Sequence, residues 1–365
     1  MFTIDDKQTV NDLVVGTTIL GTGGGGDPDI GRKTLEEDLE AGRKLRVIGL
    51  DELPNESLIV SPYFIGSIAP GVKANRAITV PDPFSVALDL IERHFKCKVA
   101  ATVASELGGG NTAAALHVAS HLNIPLVDGD LLGRAGPELH QSTAHLFDAS
   151  MAPSAVVSET GNLVFVERYA HIDDYEALAR HVAVISGGHA AVIDTPLKKS
   201  KALETIIPQT ISRALTIGSA VRKANRDGSD PVEAARRTLE GWRIFDGMVE
   251  KYDWKNEKGF LFGEVSLSGQ GKWSNRTFRT WIKNEHIFAW LDNKPIVMPP
   301  DPIIFLDKQG FGITNTTLKH GLEVSVIAAK APNVWRTPKG LAYFGPKHFG
   351  FDYEYVPVEE LVAAK

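Results

Sequence analysis

Between residues 44 and 130, short apolar runs alternate with amphipathic stretches, and this alternation limits the fold more than any other feature of the chain. "KLRVIGL" (44–50), "SLIVSPYFIG" (57–66), "KVAATVAS" (98–105) and "IPLVDGD" (124–130) read as strands. "PFSVALDLIERHF" (83–95) and "NTAAALHVASHL" (111–122) read as helices. Such alternation implies a mostly parallel sheet covered by helices. Ligands of these sheets gather beyond the carboxyl ends of the strands. "TVNDLVVGTTIL" (9–20) carries two signals: its β-branched residues favour a strand, while Val10, Leu13, Val14, Thr17 and Leu20 recur at helical spacing. A helix is the preferred reading, because Asn11 and Asp12 would interrupt the front of a buried strand. "DPDIGRKTLEEDLEAG" (27–42) is a second helix, with Asp27 as its cap, Pro28 in its first turn and Gly42 at its end.

After residue 150 the pattern changes. "AVVSET" and "LVFVERY" form an expected hairpin near Gly161 and Asn162. A helical stretch follows at about 201–241, with a capping box at Asp230 and Glu233. From Trp242 onward short apolar runs alternate with turn residues, as in an antiparallel barrel or sandwich. The expected division is therefore an α/β domain at 1–160 and a β-rich domain at 161–365 with a helical insertion. A length of 365 residues accommodates two domains. The net charge of −6 and the lack of a basic block argue against a nucleic-acid partner. "MFTIDDKQTVNDL" lacks the basic start of a secretory signal, and no apolar run reaches the ~18 residues of a membrane span. Cys97 is the one cysteine, so no internal disulfide can form and a cytoplasmic location is expected.

Four stretches could carry chemistry. "GTTILGTGGGGDP" (16–28) places Gly21, Gly23 and Gly26 at the spacing of a dinucleotide turn. That motif needs a strand before the glycines, which the helical reading of 9–20 denies it. A substrate or anion loop made by Gly23, Gly24, Gly25 and Gly26 is preferred, with a plain structural turn as the alternative. "SELGGGNT" (105–112) ends a strand at Glu106 and opens a helix, with Asn111 as its expected cap. The backbone N–H groups of Gly108 and Gly109 could bind an oxyanion there. "VDGDLLGRAGPELH" (127–140) gathers Asp128, Asp130 and Glu138 around Arg134 at another strand end. Clustered carboxylates push their pKa values apart into acid and base, and an arginine can orient a planar substrate. The alternative is a solvated loop with local ion pairs.

His117, His121, His140 and His145 lie within 29 residues, and the first two share a helix face. A solvated histidine pair is the preferred reading, with a divalent metal held by some of them together with Asp128 or Asp130 as the alternative. Val118 stands where the metalloprotease motif needs Glu. Cys97 reads more readily as a small core residue than as a nucleophile. The cofactor is left open, with a divalent metal considered and NAD(P) disfavoured.

"LGTGGGGDP", "ELGGGN" (106–111), "DGDLLGRAGPEL" (128–139), "NEHIFAW" (284–290) and "PPDPIIFLD" (299–307) together resemble the S-methyl thiohydantoin desulfurase domain family, over nearly the whole chain. Gly136 and His140 depart from the residues usual there. The resemblance implies an N-terminal three-layer α/β/α domain and a C-terminal β-rich, barrel-like domain. It also implies hydrolysis of a C–S bond, in which water adds to the C2 carbon of an S-methyl thiohydantoin and methanethiol leaves. On that basis Asp128 or Asp130 is the expected base, with Glu138 its partner or the acid and Glu106 beside them. Arg134 would bind a ring carbonyl or a substrate carboxylate. Gly23–Gly26, Gly108, Gly109 and Asn111 would line the site. A non-catalytic role as partner subunit of a hydantoinase or oxoprolinase-type enzyme is the alternative; a homo-oligomer is compatible with either.

Overall fold

A computed structural model describes residues 1–66 and 77–364. The first sheet contains β1 (Phe2–Ile4), β2 (Leu45–Ile48), β3 (Leu58–Gly66), β4 (Val99–Ala104), β5 (Leu126–Asp130), β6 (Ser154–Val157), β7 (Leu163–Val166), β8 (His189–Lys198) and β9 (Ile207–Pro208). Their order is β1-β2-β5-β4-β3-β8-β6-β7, with β9 paired to β5. The central four, β2, β5, β4 and β3, are parallel. Every other pairing is antiparallel, so the sheet is parallel only in its middle. The hairpin β6–β7 forms as expected, but it joins this sheet through β8, so the sheet takes strands from both sides of residue 160.

The helices are α1 (Lys7–Leu20), α2 (Pro28–Glu40), α3 (Pro83–Phe95), α4 (Asn111–His121), α5 (Thr143–Leu146), α6 (Ile172–Ile185), α7 (Lys199–Thr205), α8 (Thr210–Asp227), α9 (Pro231–Leu239), α10 (Pro338–Phe344) and α11 (Val358–Ala363). Alternate residues of the central strands feed opposite layers. Leu58 and Val60 pack with Phe84 of α3 and Val118 of α4, while Ile59 packs with Ala202 of α7 and Tyr175 of α6. That is the three-layer arrangement.

Residues 9–20 are helical despite their β-branched content. Thr17 and Thr18 return their buried hydroxyls to Leu13 and Val14 carbonyls, which satisfies them inside a helix. Asp12 is buried and takes Arg222 of α8 on both oxygens, at 2.8 and 2.9 Å. The two helices touch backbone to backbone, because a Cβ on Gly16 would stand 1.8 Å from the Ala214 carbonyl oxygen. The start of α2 follows its sequence signals: Asp27 Oδ1 accepts from the Asp29 N–H at 2.8 Å, and Pro28 occupies the first turn. Asp230 caps α9 in the same way, although Glu233 pairs with Arg236 rather than completing the box.

The second sheet is antiparallel throughout, in the order β14-β13-β12-β11-β10-β16-β15. It comprises β10 (Trp242–Glu257), β11 (Phe260–Gly269), β12 (Thr277–Lys283), β13 (Glu285–Leu291), β14 (Lys294–Val297), β15 (Ile303–Leu306) and β16 (Glu323–Ala328). It curls into a half-barrel around Phe245, Val265, Phe278, Phe305 and Val326. Its turns use the residues expected of tight hairpins, with Asp292 and Asn293 both at positive φ. No helix among the described residues is long and apolar enough to cross a membrane.

Candidate active site

A cavity of about 940 Å³ opens where the carboxyl ends of β3, β4 and β5 face the second sheet. Its walls include Gly23–Gly26, Glu106, Asn111, Glu138, Arg180, Asp194, Asn284 and Glu285. The volume suits a small organic ligand.

The glycine run joins α1 to α2, so the strand–turn–helix setting of a dinucleotide fingerprint is absent from this loop. Its glycines are needed for close approach. Gly25 has φ +76°, and its Cβ would stand 2.5 Å from the Gly108 Cα. The Gly25 carbonyl accepts from the N–H groups of Gly110 and Asn111, at 3.1 and 3.0 Å. On the other side Glu285 Oε1 occupies the space that a Cβ on Gly24 would need, 1.8 Å away. The loop is thus a thin backbone layer between the first sheet's helix-opening turn and a carboxylate of the second sheet. Gly108 and Gly109 lie behind this layer rather than on the cavity wall. The N–H of Gly108 is already taken by Thr112 Oγ1 at 3.1 Å.

Glu106 leaves the end of β4 and enters the cavity wall. Asn111 does not cap α4; its amide donates to Glu106 Oε1 at 2.7 Å. The Gly136 N–H donates to Glu106 Oε2 at 2.9 Å. Burial nevertheless raises the carboxyl above its ordinary pKa. The sequence reading did not find its counterpart, Glu285. Asn284 alone links β12 to β13, in the left-handed region at φ +56° that asparagine tolerates. That reversal brings Glu285 to the cavity at the first position of β13. Glu285 is buried, and its Oε2 has no hydrogen-bond partner. Burial, then the charge of Glu106, push it well above the ordinary carboxylate range. The "NEH" triplet between two strand-like runs was the available signal.

The expected acid cluster at 128–138 is distributed differently. Asp128 and Asp130 do not line the cavity. Asp128 Oδ1 accepts from the Ile211 and Ser212 N–H groups at the start of α8, at 3.1 and 3.0 Å. Asp130 Oδ2 accepts from the N–H groups of Leu132 and Gly133 inside a buried turn, and burial pushes its pKa up to about 7. Arg134 is fully buried and also absent from the cavity wall. It donates to the carbonyls of Ala135 (2.8 Å), Pro300 (3.2 Å) and His286 (3.0 Å), and to Thr22 Oγ1 (2.8 Å). It therefore ties the glycine loop to the second sheet and has no fork left for a substrate.

Glu138 does reach the cavity, but Lys283 and His348 hold it, His348 Nε2 lying 2.6 Å from Oε2. Burial pulls its pKa up; the His348 hydrogen bond and the Lys283 charge overcome that and hold it well below the carboxylate range. A carboxylate so held is a poor proton donor. Two further wall residues went unnoticed in the sequence. Arg180 ion-pairs with Glu176 and lies over the Phe260 ring, 3.8 Å from its centroid. Asp194 accepts from the Tyr63 and Tyr175 hydroxyls at 2.8 and 2.9 Å, and burial raises its pKa to about 6.

The histidines divide into two groups. His140 and His145 stand near Tyr343, outside the cavity wall. His117 and His121 line the wall, and their carboxylate neighbour is Asp38 of α2, not Asp128 or Asp130. Cys97 is exposed, contrary to the expected core position.

No curated protein matches the chain. A crystal structure of a protein from Chromobacterium violaceum shares the fold, with a TM-score of 0.77 and 22% identity over 98% of this chain and 100% of that one. Residues 8–168 match the family described as S-Me-THD-like, N-terminal domain, and residues 170–358 match S-Me-THD-like, C-terminal domain. With the glycine loop, "ELGGGN" and "NEHIFAW" all meeting at one cavity, the chain belongs to the S-Me-THD-like, or S-methyl thiohydantoin desulfurase domain, family.

Proposed function

We propose that the chain hydrolyses the C–S bond of an S-methyl thiohydantoin, giving a hydantoin and methanethiol. The family supports a desulfurase-like enzyme, and the observation that carries the specific reading is the pair of carboxylates, half-buried Glu106 and buried Glu285, on one cavity. The reaction adds water to C2, loses one proton from that water, and returns one proton to the departing methanethiolate. Two carboxyl groups in unlike surroundings suit those two transfers.

The roles we propose rest on the surroundings of the two carboxyl groups. Glu106 accepts from Asn111 and Gly136, donors that favour its ionised form, so it is the base that takes the proton of the attacking water. Burial, the neighbouring charge of Glu106 and an unpartnered Oε2 all favour the protonated form of Glu285, which suits it to be the acid that protonates sulfur. The C2–S bond breaks and a C2–O bond forms; of the two water protons Glu106 takes one and the other passes to the ring nitrogen as C2=O forms, Glu285 gives its proton to sulfur, and solvent then returns a proton from Glu106 to Glu285.

The test is a panel of S-methyl thiohydantoins and hydantoins with colorimetric detection of released thiol. Thiol release by the wild type is expected, with turnover falling at least about a hundredfold in Glu106→Gln and in Glu285→Gln. No thiol from any member of the panel, or wild-type rates in both variants, overturns the reading.

A further inference from the structure

We propose that Asp38, His117 and His121 bind one divalent transition-metal ion, of the imidazole-preferring class that includes Zn²⁺ and Co²⁺, in the wall of the cavity. The site is separate from the Glu106–Glu285 pair and does not depend on the reaction assigned to it.

The placement follows from the helices. His117 and His121 are four residues apart on α4, so their rings stand together, with centroids 4.2 Å apart. The start of α4 is pressed against α2, where a Cβ on Gly31 would stand 2.0 Å from the Gly109 carbonyl oxygen. That contact sets α2 close along α4 and brings Asp38 beside both rings. Asp38 Oδ2 lies 2.9 Å from His117 Nδ1, and Asp38 Oδ1 lies 3.5 Å from His121 Nε2. One ligand atom from each of the three residues lies within 4.8 Å of the other two. Ligands at ~2.0–2.2 Å around one tetrahedral ion sit roughly 3–3.6 Å apart, so small side-chain movements complete the set.

The surroundings are those of a built site. Asp38 is 1% exposed, a carboxylate on the inward stripe of α2 that it shares with buried Gly31 and Leu35, where charged side chains are rare unless paired. The Ser120 hydroxyl donates to Oδ2 at 3.0 Å and fixes the carboxylate, as outer partners of metal ligands do. The two histidines are partly exposed and lie on the cavity wall, so an ion there keeps a coordination position open to the cavity. One group opposes the cation: Arg43 Nη1 donates to Asp38 Oδ1 at 3.1 Å. Its side chain is about one-third exposed (34%) and can leave for solvent when an ion enters. Two imidazoles and one carboxylate select a transition ion over Mg²⁺ or Ca²⁺.

The experiment is a titration of chelator-stripped, dialysed full-length protein with Co²⁺, read by visible absorption, and with Zn²⁺, read by calorimetry. One ion per chain is expected, with affinity lowered at least tenfold in Asp38→Asn, His117→Ala and His121→Ala. Binding should be unchanged in His140→Ala and His145→Ala, and tighter in Arg43→Ala. Circular dichroism melts establish that the variants are folded, and His121→Gln serves if His121→Ala is not. Zn²⁺ should raise the melting temperature of the wild type and not of Asp38→Asn. Uptake by the wild type no greater than by folded Asp38→Asn and His121→Gln overturns the proposal. Because these readouts need no turnover, the metal site can fail while the thiol assay succeeds, and the reverse.

Discussion

β4 and β5 are neighbouring parallel strands, one followed by a single acid and the other ending in two, yet the two ends are built differently. After β5, Asp128 and Asp130 are spent on backbone N–H groups of α8 and of their own turn, and Arg134 is spent on carbonyls of the second sheet. After β4, Glu106 is held by one side chain and one N–H, and it faces a second carboxylate that has no donor on one oxygen. A dense acid cluster in the sequence thus supplies local fold, while the single acid after β4 shares the cavity wall with a carboxylate 179 positions away, Glu285, its partner in the proposed reaction. What separates them is where the carboxylates stand: Glu106 and Glu285 line the cavity, whereas Asp128 and Asp130 face backbone N–H groups away from it, although Asp130 Oδ1 also lacks a donor.

The strongest way to break that contrast is at Arg134. Burial lowers its pKa to about 10, so it remains charged at neutral pH. Replacing it by Met retains bulk but strands the carbonyls of Pro300 and His286 and the hydroxyl of Thr22. Arg134→Met is expected to cost roughly 3–5 kcal/mol, because several buried acceptors lose their donor at about 1–3 kcal/mol each. Denaturant unfolding measures it. A fully folded variant with a shift below about 1 kcal/mol, together with lost substrate binding, would return Arg134 to the substrate-clamp role.

Why the clamp reading was attractive says what a sequence can carry. The cap of α2, the strands β2 to β5, and the hairpins of the second sheet were legible because each rests on neighbours in the chain: Asp27 with Pro28, apolar runs of strand length, Asp292 with Asn293. Glu106 was legible for the same reason, since a strand end, glycines and a helix start coincide there. Arg134 also had local features of a ligand site, but its partners come from Thr22, His286 and Pro300, which no spacing connects. Glu285 was hidden because its importance lies in meeting Glu106 across the sheets. Residues 9–20 show the reverse case: helical spacing outweighed β-propensity because α8 buries the helix and hydrogen bonds satisfy the threonine hydroxyls.

Asp130 sharpens the contrast through pH. Its ordinary value is 3.8 and burial raises it to about 7 in the folded chain. Between those values the folded state holds a proton that the unfolded state has lost, so stability falls as pH rises from about 4 to about 7. Asn cannot ionise, and its carbonyl can still accept from Leu132 and Gly133. Asp130→Asn should therefore match the wild type at pH 4 and exceed it at pH 8 by on the order of 4 kcal/mol, with turnover retained. Thermal melts across that range decide it: a parallel offset at every pH would mean that Asp130 does not titrate in this window.

Asp128 gives the smallest effect and the cleanest discrimination. Its carboxylate meets the first N–H groups of α8, where a negative charge is favoured by the helix dipole. Asparagine keeps an acceptor and loses the charge, so Asp128→Asn should cost ~0.3–1 kcal/mol. Alanine loses the acceptor as well and should cost about 0.5–2 kcal/mol. Both variants should turn over substrate within a few-fold of the wild type, because α8 is anchored elsewhere by Arg222 on Asp12. A hundredfold loss of activity in Asp128→Asn with an unchanged melting temperature cannot come from a cap. It would move the acid–base chemistry from Glu106 and Glu285 back to the end of β5.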